Sequence, residues 1–529
     1  MKKVLLAIAT IATLATNSFA QKMSEICGTT DWDLIDQRLI ENRRAMEAGL
    51  YANQRAMVKY IPIKFHLISK KDGTGRLSET KVFENLCQLN KDYQDQNIIF
   101  YMAGGTMSYI NDNNSYSNQS TGLGAATMQS VYHKNAINIY FALETPSPGG
   151  GALGGTTLGY YSPTKDWLVI RNDQVNSTSG TLSHEIGHHF SLAHPFKGWD
   201  QESYLQKYGD GKNWSSIPTW FKTPHTAAPD GTLIEFFNGS NCAFAGDRVC
   251  DTPADYNFGF GWNGCAEFNR KIIGPAVGDS IRDVMENNFM AYFIGCKDYI
   301  FTTEQKKLIL ADYNSAARAK LRSNYTPAIE TITQQATDLL PANDATAEFY
   351  DYVNLDWADV PNADAYLVEV DRFSSLTSTT ALRFVTKTSS FLLQGKLEPN
   401  KTYYWRVIPF DAEGGTCQII NSASKSKFTT SAFPVATHDI TDLNQWTVSP
   451  NPLTQGQMLN IDLSVAQGFD AKISLYNAIG QEIKSLGNKQ IEAGQTRLTF
   501  DTADLTQGIY FVRVQTANGT ESKKVEVSN

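Results

Sequence analysis

Long apolar runs are missing from this chain after its first 20 residues. None reaches the roughly 18 residues that a bilayer-spanning helix needs, so we expect no transmembrane segment in the mature protein. Basic blocks are missing as well, since 46 lysines and arginines stand against 54 acidic residues and give a net charge of −8. That balance argues against nucleic acid as a partner. Histidine is scarce, with 8 among 529 residues, so a cluster of histidines is informative.

The start of the chain has the pattern of an export signal. Residues 1–20, MKKVLLAIATIATLATNSFA, combine two lysines, an apolar run and small residues, which is typical of a secretory signal peptide. Residues 21–56 are rich in charge and contain an amphipathic helix pattern, so we expect a removable prosegment there. Arg43, Arg44 and Arg55 are candidate processing points, although arginines on a helix usually form a solvated face.

The histidines cluster in residues 181–196, TLSHEIGHHFSLAHPF. His184 and His188 are four residues apart, so on a helix they lie on one face and can bind one metal ion. His194 can supply a third nitrogen if the helix ends soon after His188 and the chain turns back. Glu185 lies beside the open metal position, where a carboxylate can act as general base. The pattern predicts a zinc site that hydrolyses amide bonds.

Chance is a poor explanation of this cluster. The probability that two histidines flank a glutamate at this spacing by chance in a long chain is on the order of several per cent. Requiring the third histidine as well lowers that probability to about one in ten thousand. The neighbouring His189 lies about 100° round the helix from His188. We therefore expect His189 to pack in the interior instead of binding metal.

A downstream segment, NNFMAYFIGC, places Met290 two residues before Tyr292. With HEIGHHFSLAH, VCDTPAD and the early IPIKFHLI, it resembles the pappalysin family of metzincin proteases over roughly residues 57–322. The resemblance implies that the three histidines bind zinc and that the glutamate is the base. It also implies that the Met290 thioether packs beneath the metal and that the Tyr292 hydroxyl assists at the oxyanion.

One position departs from the family pattern. Ser191 stands where metzincins have a glycine, which adopts the left-handed conformation at a helix end without steric penalty. Serine in that conformation costs about 1 kcal/mol. We expect this cost to be too small to abolish the turn that delivers His194.

The seven cysteines of this exported chain predict disulfides. Cys242, Cys250, Cys265 and Cys296 allow three pairings, and the family resemblance favours Cys242 with Cys265 and Cys250 with Cys296. A four-cysteine zinc site is the alternative, but the spacing lacks a repeated CxxC.

Cys27 lies in the predicted prosegment, and its following glycine resembles a pappalysin prosegment. A thiolate held at the fourth zinc position would displace the catalytic water, so Cys27 is a candidate latency switch. The alternative is a disulfide between Cys27 and Cys87.

Zn²⁺ is the predicted cofactor. Ca²⁺ is a second candidate because the acidic residues Asp247, Asp251 and Asp255 lie near the site, although they form no contiguous calcium loop.

The predicted fold class is α+β, with a metzincin-type catalytic domain followed by two all-β sandwich domains. The catalytic domain is expected to combine a twisted mixed sheet with the zinc helix, and GALGGTTLGYYS is expected to form an edge strand that pairs with an extended peptide. The predicted boundaries are 1–20 for the signal peptide, 21–56 for the prosegment, 57–325 for the catalytic domain, 326–345 for a linker, 346–432 for a fibronectin type III-like domain and 440–529 for a sorting domain.

The two C-terminal domains rest on further resemblances. LDWADVPNADAYLVEVDR and LEPNKTYYWRVIPFDAEG resemble a fibronectin type III domain, with Trp357 in its core and the Tyr403 hydroxyl tied back to backbone near Leu397. The segment from WTVSPNPL to KKVEV resembles a type A sorting domain of type IX secretion. It implies the secretion machinery as a partner.

Together these patterns predict a secreted or outer-surface zinc endopeptidase that acts on proteins or peptides and is made as a latent precursor. One alternative is an adhesion or substrate-binding protein with an inactive protease domain. Another is a structural zinc protein in which a fourth protein ligand closes the site.

The long segment between His194 and Cys242 carries Trp199, Trp214 and Trp220. It either forms a wall of the substrate cleft or is an insertion that packs on the surface.

Overall fold

The computed structural model forms two compact units, Met1–Ala328 and Ile329–Asn529. The predicted signal peptide, Arg55, Trp214 and Trp220 lie outside the described residues. The described residues are 27–54, 56–119, 122–143, 145, 157–204, 227–260, 264–265, 272–273, 280–281, 284–378, 380–417, 423–434, 440, 442–478, 480–516 and 519–528.

The first unit combines helices with a mixed sheet. Its helices are α1 (Trp32–Glu47), α2 (Glu79–Asp92), α3 (Asn113–Ser117), α4 (Gly122–Ser130), α5 (Thr181–His189) and α6 (Thr303–Asn314). Its strands are β1 (Lys59–Ser69), β2 (Ile98–Met102), β3 (Ser108–Asn111), β4 (Ile137–Ala142), β5 (Gly159–Ser162), β6 (Trp167–Arg171), β7 (Ile272–Ile273) and β8 (Ser280–Ile281).

The main sheet has the strand order β2-β1-β4-β6-β5, with β3 also paired to β1. Strands β1, β2, β3, β4 and β6 pair in parallel, and β5 pairs antiparallel with β6 at the sheet edge. The central strand β4, Ile137–Ala142, is buried along its whole length, as is typical of a parallel strand inside a sheet that is covered on both faces. The predicted edge position of the GYYS strand is confirmed.

Helix α6 ends at Asn314. Thr302 and Gln305 form a capping box at its start, but the backbone of Ser315 is extended and ends it. Residues Ala316–Leu321 then form a 3₁₀ helix. This bend turns Arg318 into the interior, where its Nε lies 2.7 Å from Asp312 Oδ2.

The predicted disulfide pairing is wrong. Cys242 pairs with Cys250 and Cys265 pairs with Cys296, with Cα separations of 5.0 Å and 4.8 Å. The first bridge closes a stretch of turns only eight residues long. Turns bring residues close in sequence within disulfide reach, so the nearer partner is joined.

The second unit is built from strands. They are β9 (Ala345–Ala347), β10 (Tyr352–Asp356), β11 (Ala365–Asp371), β12 (Leu382–Thr386), β13 (Ser390–Gln394), β14 (Thr402–Phe410), β15 (Lys425–Thr430), β16 (Leu443–Ser449), β17 (Leu453–Thr454), β18 (Leu459–Val465), β19 (Phe469–Asn477), β20 (Glu482–Ile491), β21 (Gly494–Phe500), β22 (Gly508–Thr516) and β23 (Thr520–Ser528).

These strands make two pairs of sheets. In the first pair, β10-β13 and β12-β11-β14-β15-β9 share a core that includes Leu355, Leu393 and Trp405. In the second, β16-β18-β21 and β17-β23-β22-β19-β20 share a core that includes Ile461 and Val512. The whole chain is therefore a mixed α+β protein. Among the described residues, no helix has the length and apolarity that crossing a membrane requires.

Candidate metal centre

Helix α5 carries two of the three candidate ligands. His184 and His188 are buried on one face, one turn apart, with their rings 4.7 Å apart. The helix packs against β5, β6 and α2, and its apolar side chains Leu182 and Ile186 are fully buried. This packing fixes the helix axis and thereby the direction of both imidazoles.

The chain reverses immediately after α5 through a left-handed residue. Ser191 has φ = 66°, its amide donates to the His188 carbonyl at 2.9 Å, and the Leu192 amide donates to the Gly187 carbonyl at 3.0 Å. These two bonds form a Schellman motif with serine in the position that glycine usually occupies. The reversal brings His194 back beside the helix, as the sequence predicts for a helix that ends near Ser191.

A buried hydrogen bond offsets the strain at Ser191. The Ser191 hydroxyl donates to Asp312 Oδ1 at 2.7 Å, and Arg318 donates to the other oxygen of the same carboxylate. A hydrogen bond to a charged group contributes about 1.5–3 kcal/mol, which exceeds the cost of about 1 kcal/mol for serine in this conformation. Asp312 is fully buried and therefore fixes the turn against α6.

The three histidines converge on one point. Their Nε2 atoms form a nearly equilateral triangle, with separations of 3.1 Å (His184 to His188), 3.0 Å (His188 to His194) and 3.2 Å (His194 to His184). Two bare nitrogen lone pairs at this separation repel each other unless a proton or a cation lies between them. The triangle therefore indicates a cation site.

The other ring nitrogen of each histidine has an acceptor. Backbone carbonyls only accept hydrogen bonds, so the Nδ1 atoms facing them carry the protons and leave Nε2 with a free lone pair. The acceptors are Phe289 O for His184 (2.7 Å), Leu192 O for His188 (2.8 Å) and Asp200 Oδ1 for His194 (2.5 Å).

The donor set fits zinc. Burial lowers the pKa of His184 to about 4 and lowers the pKa of His188 and of His194 as well, so the neutral form that binds metal is favoured. Tetrahedral zinc with bonds of about 2.0–2.1 Å holds neighbouring nitrogens about 3.3 Å apart, close to the observed triangle. Each ring also has the outer hydrogen bond that orients metal-binding histidines.

Cys27 completes the group. One ligand atom from each of Cys27, His184, His188 and His194 lies within 4.8 Å of the others, and all four residues are buried. The Cys27 thiol is free, so the alternative disulfide with Cys87 is not formed.

Residues 27–29 run along the outer side of β5. Cys27 forms a parallel bridge with Gly159, and the Gly28 amide donates to the Gly159 carbonyl at 2.9 Å. The Tyr161 amide donates to Thr29 Oγ1 at 3.0 Å. The edge strand thus already holds an extended peptide segment across the candidate site.

Glu185 is fully buried among these groups. Its Oε2 accepts from the Thr29 hydroxyl at 3.3 Å and from the Cys27 thiol at 3.7 Å, whereas Oε1 has no partner among the described residues. Burial raises the pKa of Glu185 to about 8. The Glu185 side chain lies beside three imidazoles whose Nε2 lone pairs are free to bind a metal. It is therefore placed to exchange a proton with a water molecule there.

Met290 lies directly beneath α5. A Cβ placed on Gly187 would lie 2.4 Å from the Met290 sulfur, so this close packing requires glycine at the centre of the helix. Tyr292 follows the same turn, with its ring 4.9 Å from that of His194 and its hydroxyl 3.5 Å from the Cys27 carbonyl. The segment after Asn288 therefore brings both predicted residues to the histidine cluster.

Several residues that contribute to the candidate site are not evident from the sequence. Trp32 stands edge-on over His188 and His194, with ring separations of 5.2 Å to each. The signal available was its place five residues after Cys27. Asp200 orients His194 but belongs to no recognised spacing. His189, predicted to pack, is fully buried against the Tyr161 ring at 5.3 Å and lies outside the converging group.

A cavity of about 310 Å³ opens beside the histidine cluster. Its lining includes His184, Glu185, Phe289, Tyr292 and Tyr299. A pocket next to both the candidate base and a candidate ligand can accept one substrate side chain. Trp199, from the long segment after His194, does not line this cavity.

The calcium expectation stays a prediction. Asp247 is fully buried, and desolvation together with neighbouring carboxylates raises its pKa. Burial and the charge of Asp247 likewise raise the pKa of Glu235. A divalent cation would stabilise the ionised pair, and a rise in melting temperature on adding calcium would test for it. Asp251 is exposed, and Asp255 instead accepts from the Phe258 amide at 3.0 Å.

Comparison with known proteins identifies the C-terminal end. Residues 447–528 match the family described as a secretion system C-terminal sorting domain. The chain therefore carries a type IX sorting domain, which implies the secretion machinery as a partner. Such a domain supports a location outside the cell or on its surface.

Other similarities concern proteins named extracellular metalloprotease. One from Pyricularia oryzae is 27% identical over 172 residues, which are 30% of this chain and 58% of the relative. Two from Colletotrichum graminicola are 28% and 24% identical over 199 and 207 residues, covering 35% and 36% of this chain and 69% and 72% of those proteins. The chain thus spans less than two thirds of the first relative. These identities indicate distant homology.

Proposed function

We propose that this chain is a zinc-dependent endopeptidase of the metzincin type, similar to the pappalysins, which hydrolyses proteins or peptides outside the cell. The observation that carries the proposal is the convergence of three Nε2 atoms, 3.0–3.2 Å apart, on the helix and turn that also carry Glu185. The names of the distant relatives support the same class.

The proposed chemistry divides among few residues. When bound by His184, His188 and His194, zinc supplies a Lewis acid that polarises the substrate carbonyl and lowers the pKa of a bound water to about 7. Glu185 takes the proton of the attacking water and passes it to the leaving amine. Tyr292 donates a hydrogen bond to the developing oxyanion.

The edge strand β5 is the proposed peptide-binding element. Its groups already pair with residues 27–29, which shows that they are accessible to an extended chain. Substrate bound by strand addition obtains affinity from main-chain hydrogen bonds, whereas the neighbouring cavity selects among side chains.

A second candidate function follows from Cys27. Four protein ligands would close a zinc site and make it structural. We favour catalysis because Cys27 lies in the segment expected to be removed, and because a structural site has no use for the buried Glu185.

Metal removal tests the proposal. We expect a chelator to abolish hydrolysis of a protein substrate by the processed enzyme, and stoichiometric zinc to restore it, while circular dichroism stays nearly unchanged. A catalytic zinc leaves the fold largely in place, whereas loss of a structural zinc unfolds small zinc domains. Peptidase activity that survives complete zinc removal, verified by elemental analysis, contradicts the proposal.

Tyr292→Phe tests the proposed oxyanion contact. We expect kcat to fall by roughly ten- to a thousandfold with little change in KM, because the hydroxyl acts mainly in the transition state. The matched control is Tyr299→Phe, in the same cavity, whose hydroxyl donates to the Phe293 carbonyl at 2.8 Å. A change confined to KM, or an equal loss in both variants, argues against the assigned role.

The domain plan is proposed as well. It comprises a prosegment at 21–56, a catalytic domain at 57–325, a linker at 326–345, a fibronectin type III-like domain at 346–432 and a sorting domain at 440–529. The fibronectin-like assignment is supported by the Glu398 amide, which donates to the Tyr403 hydroxyl at 2.9 Å beside Leu397, and by buried Trp357. Limited proteolysis that cuts within these ranges and spares their junctions would count against the plan.

A further inference from the structure

Helix α1 contacts the catalytic unit along one face. Ile35 and Leu39 are each 1% exposed, and Asn42 is buried at the same side. Residues three to four positions apart share a helix face, so these three form one stripe. Leu34 and Arg44, on other sides of the helix, are exposed. This arrangement is that of an amphipathic helix seated on a surface.

The start of α1 covers the candidate metal centre. Trp32 stands over two of the three imidazoles, and the Lys197 ammonium lies 4.2 Å from the centre of the Trp32 ring. The same ammonium is 3.4 Å from the Asp36 carboxylate, one turn further along α1. Lys197 is nearly buried by these contacts, so α1 provides both a cation–π partner and a counterion.

The end of α1 is held by α6. Asn42 donates to Asp312 Oδ1 at 2.8 Å, and Arg43 donates to Glu304 Oε1 at 2.8 Å and to the Arg248 carbonyl. Asp312 is the carboxylate that also fixes Ser191. We call Lys197, Glu304 and Asp312 the α1 docking surface. None of these contacts uses the Cys27 thiol.

The segment that follows α1 contains exposed apolar side chains. Leu50 is 64% exposed and Met57 is 63% exposed. A cavity of about 320 Å³, lined by Met46, Tyr51 and Leu310 among others, separates this stretch from α6. Arg43 is unsuited to be a processing point, because it lies within a helix and is paired with Glu304. A protease that needs extended, exposed chain will therefore cut after α1 and leave its contacts intact.

We propose that α1 is an inhibitory ligand of the α1 docking surface in its own right, and that the cut prosegment stays bound until α1 dissociates. Activation then has two steps, cleavage and release. The partner that this surface fits is an amphipathic helix with an aromatic residue at the first position, an acid four residues later, and asparagine and arginine at its end. The inhibitory effect rests on the proposed peptidase function, whereas the docking does not.

The test uses the full chain with a specific protease site inserted between Gly49 and Ala52 and with Cys27→Ala to remove the thiol. After cutting, gel filtration and mass spectrometry follow the fragment over time. We expect it to elute with the enzyme. Arg43→Ala should release it roughly ten- to a hundredfold faster, because truncating one partner of a half-buried charge pair raises the dissociation rate. Arg44→Ala, exposed and adjacent, is the matched control and should change nothing.

Each result decides the proposal. Immediate loss of the fragment from both the Cys27→Ala and the Cys27→Ser protein overturns the proposal, and the serine variant is included in case the alanine variant folds poorly. Equal release rates for Arg43→Ala and Arg44→Ala also overturn it. Retention is measured without substrate, so the proposed function is judged separately. An enzyme that hydrolyses peptides but never retains the fragment overturns docking alone. An enzyme that retains it normally, yet is inert after release, overturns the peptidase assignment alone.

Discussion

Glu185→Gln is expected to lower kcat/KM of the processed enzyme about 10²- to 10⁴-fold while the bound zinc is kept, because glutamine cannot take up the proton of the attacking water. Glu185 is not among the converging ligand atoms, which come from the three histidines and Cys27. The substitution preserves size, and Oε1 has no partner to lose among the described residues. Hydrolysis of a fluorogenic peptide and zinc content by elemental analysis give the two readouts.

The control for this substitution is Glu79→Gln. Glu79 is also a buried carboxylate of the first unit, but it lies at the start of α2 and contributes nothing to the histidine cluster. Its substitution reports the cost of neutralising a buried acid without touching the proposed chemistry. If Glu185→Gln keeps substantial activity, with contaminating protease excluded, the general base is another group. If it loses zinc as well, Glu185 acts on the metal site by another route.

The core of the candidate site follows from local periodicity. A helix places residues four apart on one face, so the relation of His184 to His188 needs no knowledge of the rest of the fold. The turn that returns His194 is local too, since its two closing hydrogen bonds join residues three and five apart. These features can be predicted from a single stretch of sequence.

The groups that support the candidate ligands come from distant segments of the chain. Asp312 lies 121 positions after Ser191, and no spacing in the sequence links them. The sequence does show that serine is strained at the helix end, but the hydrogen bond that offsets the strain appears only when α6 packs beside the turn. The role of Trp32 depends in the same way on where α1 docks, and no local sequence pattern shows this.

The disulfides illustrate a different limit. The pairing expected from family resemblance joined Cys242 to Cys265, whereas the structure joins Cys242 to Cys250. Four cysteines permit three pairings, and the sequence does not determine which turns bring two of them within about 6 Å. Local chain reversals decided the outcome, and these were not evident from composition.

Cys27→Ala in the uncut precursor is expected to convert a silent protein into an active one. The thiol lies with the three histidines in one group of candidate ligand atoms. If it bound the metal as a thiolate, it would take the place of the catalytic water. A free-energy difference of 1.4 kcal/mol corresponds to about a tenfold change in activity. If the thiol contact stabilises the closed site by about 3 kcal/mol, its loss raises the peptidase activity of the precursor roughly a hundredfold. We expect the rise to be partial, because Trp32 still covers two imidazoles.

The experiment keeps the precursor uncut by replacing Arg44 and Arg55 with glutamine and verifies this by intact mass. Thr30→Ala, three residues from the thiol, is the matched control and should stay as silent as the parent. In cobalt-substituted precursor, a thiolate-to-metal charge-transfer band should be present in the parent and absent from Cys27→Ala. If the variant is silent and the parent lacks the band, the thiol is no switch and α1 alone closes the site. If the band is present but the variant is silent, the thiolate binds the metal without limiting activity, and release of α1 becomes the controlling step.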